Sequence, residues 1–62
     1  MIFTGMKMVR MQRGMTQQVA SNKLKISKVY LSQIENKVYR PSEELLYRMC
    51  AVYGCQKHEL LH

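Results

Sequence analysis

Hydrophobic residues in this chain recur every three to four positions, and nowhere do apolar and polar residues alternate as in a half-buried strand. The first such stretch runs from about Thr4 to Arg13 and ends before Gly14, which suits a helix C-cap. Its apolar positions are Ile2, Met6 and Val9. We therefore predict an amphipathic first helix within an all-helical chain.

Two short helices are predicted next, each preceded by a residue with a side-chain hydroxyl. Thr16 offers an N-cap to a helix of about Gln17 to Lys23, and Ser27 offers one to a helix of about Lys28 to Asn36. At 100° per residue, the third helix has one polar outward face. The outward positions are Lys28, Val29, Ser32 and Gln33.

The remaining sequence predicts two further helices. Pro41 and Ser42 suit the opening of a fourth helix that Gly54 ends, and a short fifth helix is expected over about Lys57 to Leu61. A chain of 62 residues can build only one small core, so we assign residues 1–62 to a single domain. The residues predicted to form that core are Met6, Val9, Val19, Leu31, Ile34, Leu46, Met49 and Tyr53.

Charge is unevenly distributed along the chain. Ten Lys and Arg residues against four acidic residues give a formal charge of +6. Eight of the ten basic residues, but only one of the four acidic ones, lie within residues 1–40. This excess favours a polyanionic partner for the first two thirds of the chain, with basic side chains that merely solvate helices as the alternative.

Several classes of protein are disfavoured by the sequence. No apolar run approaches the roughly eighteen residues of a transmembrane helix, and the N-terminus lacks the plan of a signal peptide. Two cysteines are too few for the disulfide framework of a small secreted protein. We therefore expect a soluble cytoplasmic protein without membrane contact.

A metal site and an enzymatic site are also disfavoured. Cys50, Cys55, His58 and His62 form a zinc-like string, but Cys50 falls on the apolar stripe of the fourth helix. Only two residues separate Cys55 from His58. The chain has no Asp, no histidine beside a plausible nucleophile and no Gly-rich phosphate loop. We expect no metal, no cofactor and no enzymatic activity.

Several residues occur together at the spacing of a known domain. They are Arg13-Gly14-Met15-Thr16-Gln17, then Leu24, Ile26-Ser27, Tyr30-Leu31-Ser32-Gln33-Ile34-Glu35-Asn36, and Pro41-Ser42 to Gly54. From about Met6 to Leu61, the chain resembles the Cro/phage-repressor-type helix-turn-helix domain of the XRE family. The resemblance implies a compact five-helix, lambda-repressor-like bundle with its motif at about residues 16–36.

Three positions depart from the family pattern. Lys25 and Lys37 stand where the family usually has glycine, and a non-Gly residue costs about 1 kcal/mol if either backbone is left-handed. Ser21 stands where the family has a small alanine. Its hydroxyl needs a partner, which we expect to be a carbonyl one turn back.

The resemblance implies roles for particular side chains, because the outward face of the third helix would meet base edges in the major groove. The residues expected to read bases are Lys28, Val29, Ser32 and Gln33. Those expected to hold phosphates are Gln17, Asn36, Lys37, Tyr39 and Arg40. Arg10 and Glu35 fall on inward-tending positions and are expected to form a structural ion pair.

We therefore expect a sequence-specific regulator of transcription that binds double-stranded DNA, in the manner of a small Cro-like or repressor-type protein of a prokaryotic cytosol or phage-infected host. One monomer reads few base pairs, so a homodimer on a dyad operator is expected. The residues expected at the dimer interface are Cys55, Gln56, Lys57, His58 and Leu61. The alternative is a protein-interaction module, such as an antitoxin or phage-encoded factor, on the same fold.

Overall fold

The computed structural model describes residues 5–61, which form five α-helices and, within that range, no strand. The helices are α1 (Gly5–Gln12), α2 (Gln17–Leu24), α3 (Lys28–Glu35), α4 (Glu43–Tyr53) and α5 (Lys57–Leu60). The prediction of an all-α, five-helix fold is confirmed. The predicted start of the first helix at Thr4, and the apolar Ile2, lie outside the described residues.

The N-caps of α2, α3 and α4 are side-chain hydroxyls, and those of α2 and α3 are the predicted Thr16 and Ser27. In each case the hydroxyl oxygen accepts a hydrogen bond from the backbone N–H three residues later, which satisfies one of the free donors of the first turn. The three pairs are Thr16 with Val19 at 3.1 Å, Ser27 with Tyr30 at 3.0 Å and Ser42 with Leu45 at 3.2 Å. These caps fix where the helices begin.

Helices α1 to α4 all end in the same turn, a Schellman motif. In each turn, one residue has a positive φ, and the backbone N–H of the next residue donates to the carbonyl five residues before it. The donor–acceptor pairs are Met15–Arg10 at 3.2 Å, Ile26–Ser21 at 3.0 Å, Val38–Gln33 at 2.8 Å and Cys55–Cys50 at 3.2 Å. The left-handed residues are Gly14, Lys25, Lys37 and Gly54.

The core lies between the five helices and differs from the predicted one in two ways. Val19 is 43% exposed, and the core also includes Ala20, Leu24, Leu45 and Leu60, which were not among the predicted core residues. Helix α2 turns Ala20 and Leu24 inward, one helical turn apart, and this rotation leaves Val19 outside. The prediction of Val19 as a core residue was therefore wrong. The buried apolar residues are Met6, Val9, Ala20, Leu24, Leu31, Ile34, Leu45, Leu46, Met49, Tyr53 and Leu60.

Two further contacts fix how the helices pack. The Ser21 hydroxyl donates to the carbonyl of Gln18 at 2.9 Å, so this buried polar group has the expected partner one turn back. Gly5 lies directly against the backbone of α5, where any Cβ would collide with the carbonyl oxygen of Glu59. Helix α1 therefore packs against α5 at a distance that only glycine at position 5 allows.

Tyr53 is buried at the end of α4, and its hydroxyl has no hydrogen-bond partner among the described residues. Burial raises the pKa of this phenol to about 12, and the nearby Glu35 carboxylate adds to the increase. The aromatic ring contributes to the core, but its hydroxyl is desolvated without compensation.

Candidate nucleic-acid interface

Helix α3 presents a mixed polar and apolar face outward while its other side is held in the core. Leu31, Ile34 and Glu35 are buried. The opposite side consists of Lys28, Val29, Ser32 and Gln33, the residues predicted to read bases, and is called the recognition surface below. Val29 is 67% exposed although it is apolar, and neither Lys28 nor Gln33 has a side-chain hydrogen bond within residues 5–61. The donors and acceptors of these side chains are therefore available to a partner.

A buried ion pair anchors α3 to α1, at the two residues that the sequence predicted would pair. Arg10 Nε donates to Glu35 Oε2 at 2.7 Å, and a terminal guanidinium nitrogen of Arg10 donates to Glu35 Oε1 at 3.2 Å. The side chains are only 7% and 0% exposed. The second terminal nitrogen donates to the carbonyl of Met15 at 2.8 Å. Each of the three guanidinium nitrogens of Arg10 thus donates one hydrogen bond inside the protein.

Gln17 extends this ion pair into a network that the sequence analysis missed. Its Nε2 donates to Glu35 Oε1 at 3.1 Å, so the first residue of α2 is tied to the last residue of α3. Gln17 is half-buried. The network holds the two motif helices in a fixed relation, while the backbone N–H groups at the start of α2 remain placed to meet an anion.

The segment after α3 holds the other predicted phosphate-binding residues. Asn36 Nδ2 donates to Ser32 Oγ at 3.3 Å, and the Tyr39 ring lies 6.3 Å from the Tyr30 ring at an angle of 45°. Lys37 and Arg40 are exposed. The structure therefore brings this segment against the end of α3, beside the recognition surface.

Not every basic residue is available to a ligand, and composition could not have revealed this. Arg13 Nε donates to the carbonyl of Tyr53 at 2.7 Å and thereby caps the end of α4. Arg48 is bound to Glu44 at 2.7 Å and lies 3.4 Å from the carbonyl of Leu24. Together with Arg10, three of the four arginines serve the fold.

The basic side chains left without a salt bridge or hydrogen bond within residues 5–61 cluster around α3. They are Lys23, Lys25, Lys28, Lys37 and Arg40. All of them lie between the last turn of α2 and the start of α4. The motif and the segment after it therefore carry an excess of positive charge that no salt bridge within residues 5–61 neutralises.

The predicted dimer residues occupy α5 and the turn before it. Lys57 Nζ lies 2.6 Å from Glu43 Oε2, which raises the pKa of Lys57 and lowers that of Glu43. Burial and the neighbouring Cys50 thiol raise the pKa of Cys55. Gln56 and His58 are exposed. This segment therefore offers mainly polar groups, with few apolar atoms for an interface.

Leu61 provides the apolar exception. It is 45% exposed and lines a cleft of about 290 Å³ together with Tyr39 and Arg40. The end of the described chain thus lies next to the segment that follows α3. A partner bound at Leu61 would approach the predicted phosphate-binding residues.

Residues 5–61 contain no group of three or more Cys, His or acidic side chains arranged to hold a metal ion, and His62 lies outside the described range. Nor does any helix in that range combine the length and apolarity needed to cross a membrane.

Comparison with known proteins identifies the family. A helix-turn-helix family model, HTH_3, matches residues 6–60, which is nearly the whole described range. A comparison with curated proteins gives no match. The matched family consists of DNA-binding domains of the XRE type and is not a family of enzymes. The capped helices, the α2–α3 motif and this match together show that the chain belongs to the Cro/C1-type helix-turn-helix family, the XRE family.

Proposed function

We propose that this protein is a sequence-specific regulator of transcription that inserts α3 into the major groove of double-stranded DNA. One observation carries the proposal: on a helix anchored by a buried ion pair, the outward Lys28 and Gln33 side chains have no hydrogen bond within residues 5–61. Basic side chains without a salt bridge in that range lie before and after this helix in the chain. A rigid helix with free donors and acceptors is what direct readout requires.

Each residue of the recognition surface has a suitable partner on a base edge. The Lys28 ammonium can donate to guanine O6 or N7, and the Gln33 carboxamide can form paired hydrogen bonds with adenine N6 and N7. Val29 can pack on a thymine methyl group. The shorter Ser32 side chain already accepts from Asn36, and its hydroxyl hydrogen can still be donated to a base.

Phosphate contacts would hold the protein on both sides of the groove. On one side, Gln17 begins α2, and we assign its phosphate contact to the backbone N–H because its side-chain nitrogen binds Glu35. On the other side lie the exposed Lys37 and Arg40. Asn36 directly precedes Lys37, and Tyr39 directly precedes Arg40. Such contacts position the helix without reading sequence.

A homodimer on a dyad operator completes the proposal, in the cytoplasm where such an operator is found. Two copies would place their α3 helices on half-sites about 34 Å apart, one turn of DNA. We assign the contact between copies to Cys55, Gln56, Lys57, His58 and Leu61. Because these residues are mostly polar, we expect the dimer to be weak without DNA.

The proposal is tested by substituting Gln33 with Ala and measuring affinity for a selected duplex and for a scrambled one. Loss of a bidentate contact should weaken binding to the selected duplex by about 1–3 kcal/mol and relax the preference at one base pair per half-site. Gln12→Ala is the matched control, since it removes the same carboxamide from an exposed position on α1. Equal weakening on both duplexes would show that α3 does not read bases.

A protein-interaction module is the second candidate, and exposed apolar side chains favour it. Val29, Val38, Tyr39 and Tyr47 are 67%, 60%, 53% and 72% exposed. Such groups can also serve as contact residues for a protein partner. If duplex binding shows no base preference, this candidate becomes the better one.

A further inference from the structure

Four helices end in the same Schellman turn, but the residue at its left-handed position divides them into two pairs. Gly14 and Gly54 occupy the position after α1 and α4, with φ of 73° and 65°. Lys25 and Lys37 occupy it after α2 and α3, with φ of 61° and 62°. The two lysines therefore follow the two motif helices and bracket α3 in the chain.

Lysine is the less favourable residue for this turn. A side chain with a Cβ is strained in the left-handed region, whereas glycine adopts that region freely. Available space does not explain the difference, because a Cβ at Gly14 or Gly54 would meet no heavy atom within 4 Å. Lys25 and Lys37 thus carry a conformational cost that the same turn avoids elsewhere in the chain.

What the two lysines add is positive charge beside the recognition surface. Both are exposed, and neither ammonium has a salt bridge or hydrogen bond within residues 5–61. Lys25 stands three residues before Lys28, the first residue of α3, and Lys37 stands two residues after its last residue, Glu35. Long, flexible cations at both ends of a groove-binding helix are suited to DNA phosphates.

We propose that Lys25 and Lys37 form a phosphate clamp, defined as two lysines that bind DNA phosphates at the two ends of α3. Their strained backbone lowers the stability of the fold, and their charge raises the affinity for the DNA backbone. The inference rests on the proposed function and adds Lys25 to its contact residues. It competes with a simpler explanation: a cation near a helix C-terminus also interacts favourably with the last carbonyl groups, with or without DNA. The two explanations predict opposite effects of glycine on stability.

The test uses Lys25→Gly and Lys37→Gly, singly and together. Without DNA, each substitution should raise Tm by about 4–8 °C, since it relieves strain in a chain of this size. With DNA, each should lower the slope of log K against log salt concentration by about 0.9 per monomer, the value for one lost phosphate contact. Affinity should fall on selected and scrambled duplexes alike.

Gly54→Lys is the matched control, because it makes the reverse change in the same turn after α4. It should lower Tm and leave the salt slope unchanged. A fall or no change in Tm for the lysine-to-glycine variants would overturn the proposal in favour of the helix-end explanation. A raised Tm with an unchanged salt slope would also overturn it, while the proposed function would stand if the wild-type protein still prefers its selected duplex. A wild-type protein that binds no duplex would overturn both.

Discussion

At the scale of single residues, the sequence was informative where a side chain has one chemically sensible partner. An inward Arg10 and an inward Glu35 need each other, and Ser21 needs a nearby carbonyl; both contacts are present. The contact between Gln17 and Glu35 could not be predicted, because it depends on how α2 and α3 are placed in space. The exposure of Val19 was missed for a similar reason, since apolarity alone does not set the rotation of a helix.

Tyr53 leads to a prediction about pH. Its pKa is raised to about 12, so the neutral phenol is the form that the folded state favours. The stability that this group contributes is complete below the unfolded pKa of about 10 and is lost as pH rises through the folded value. Between these values the free energy of unfolding should fall by up to about 2–3 kcal/mol through this group.

Tyr53→Phe should therefore remove the contribution of this group to alkaline unfolding. At neutral pH the variant should be more stable by about 1 kcal/mol, because a desolvated hydroxyl without a partner is removed. Urea denaturation at several pH values from 8 to 12 measures both effects, with the exposed Tyr47→Phe as control. Parallel stability curves for Tyr53→Phe and the wild type would contradict the account.

At the scale of helices, the sequence indicated starts and ends because capping is local chemistry. Thr16 and Ser27 cap α2 and α3 as predicted, and Gly14 and Gly54 follow the ends of α1 and α4 with a left-handed backbone. The sequence could not show that Arg13 reaches across to cap α4, because that bond joins residues forty positions apart. Tertiary placement therefore decides which cations are left for a ligand.

The segment after α3 supports a prediction about affinity for DNA. Arg40→Ala should weaken binding to all duplexes alike and lower the slope of log K against log salt concentration by about 1 per monomer. Arg48→Gln is the control, because that cation already binds Glu44 and should leave the slope unchanged. Titrations across a salt series measure both slopes. An unchanged slope for Arg40→Ala would remove this segment from the DNA interface.

The close approach of α1 and α5 supports a prediction about stability. Gly5→Ala should lower the free energy of unfolding by about 1–3 kcal/mol, because the new methyl group collides with backbone and the two helices must separate. Alanine would otherwise favour the helix by about 1 kcal/mol. Chemical denaturation of Gly5→Ala beside Gln12→Ala, an exposed change on the same helix, separates the two effects. A more stable Gly5→Ala variant would show that α1 is free to shift.

At the scale of the whole molecule, periodicity and capping predicted an all-helical chain, and the resemblance of the motif residues to the XRE family implied the five-helix bundle. The family match over residues 6–60 confirms the family, and the five helices confirm the fold. Partner and operator are not encoded in this way, since they depend on which base edges the recognition surface meets. The proposed dimer likewise depends on a surface that the core does not constrain.

The central claim is that the recognition surface reads base sequence in double-stranded DNA, and selection of binding sites from random duplexes at two salt concentrations tests it most directly. We predict a consensus with dyad symmetry whose half-sites lie about one helical turn apart, with the same bases selected at both salt concentrations. Affinity should fall steeply at the higher concentration. Enrichment of no consensus, with binding that depends on salt alone, would contradict the claim.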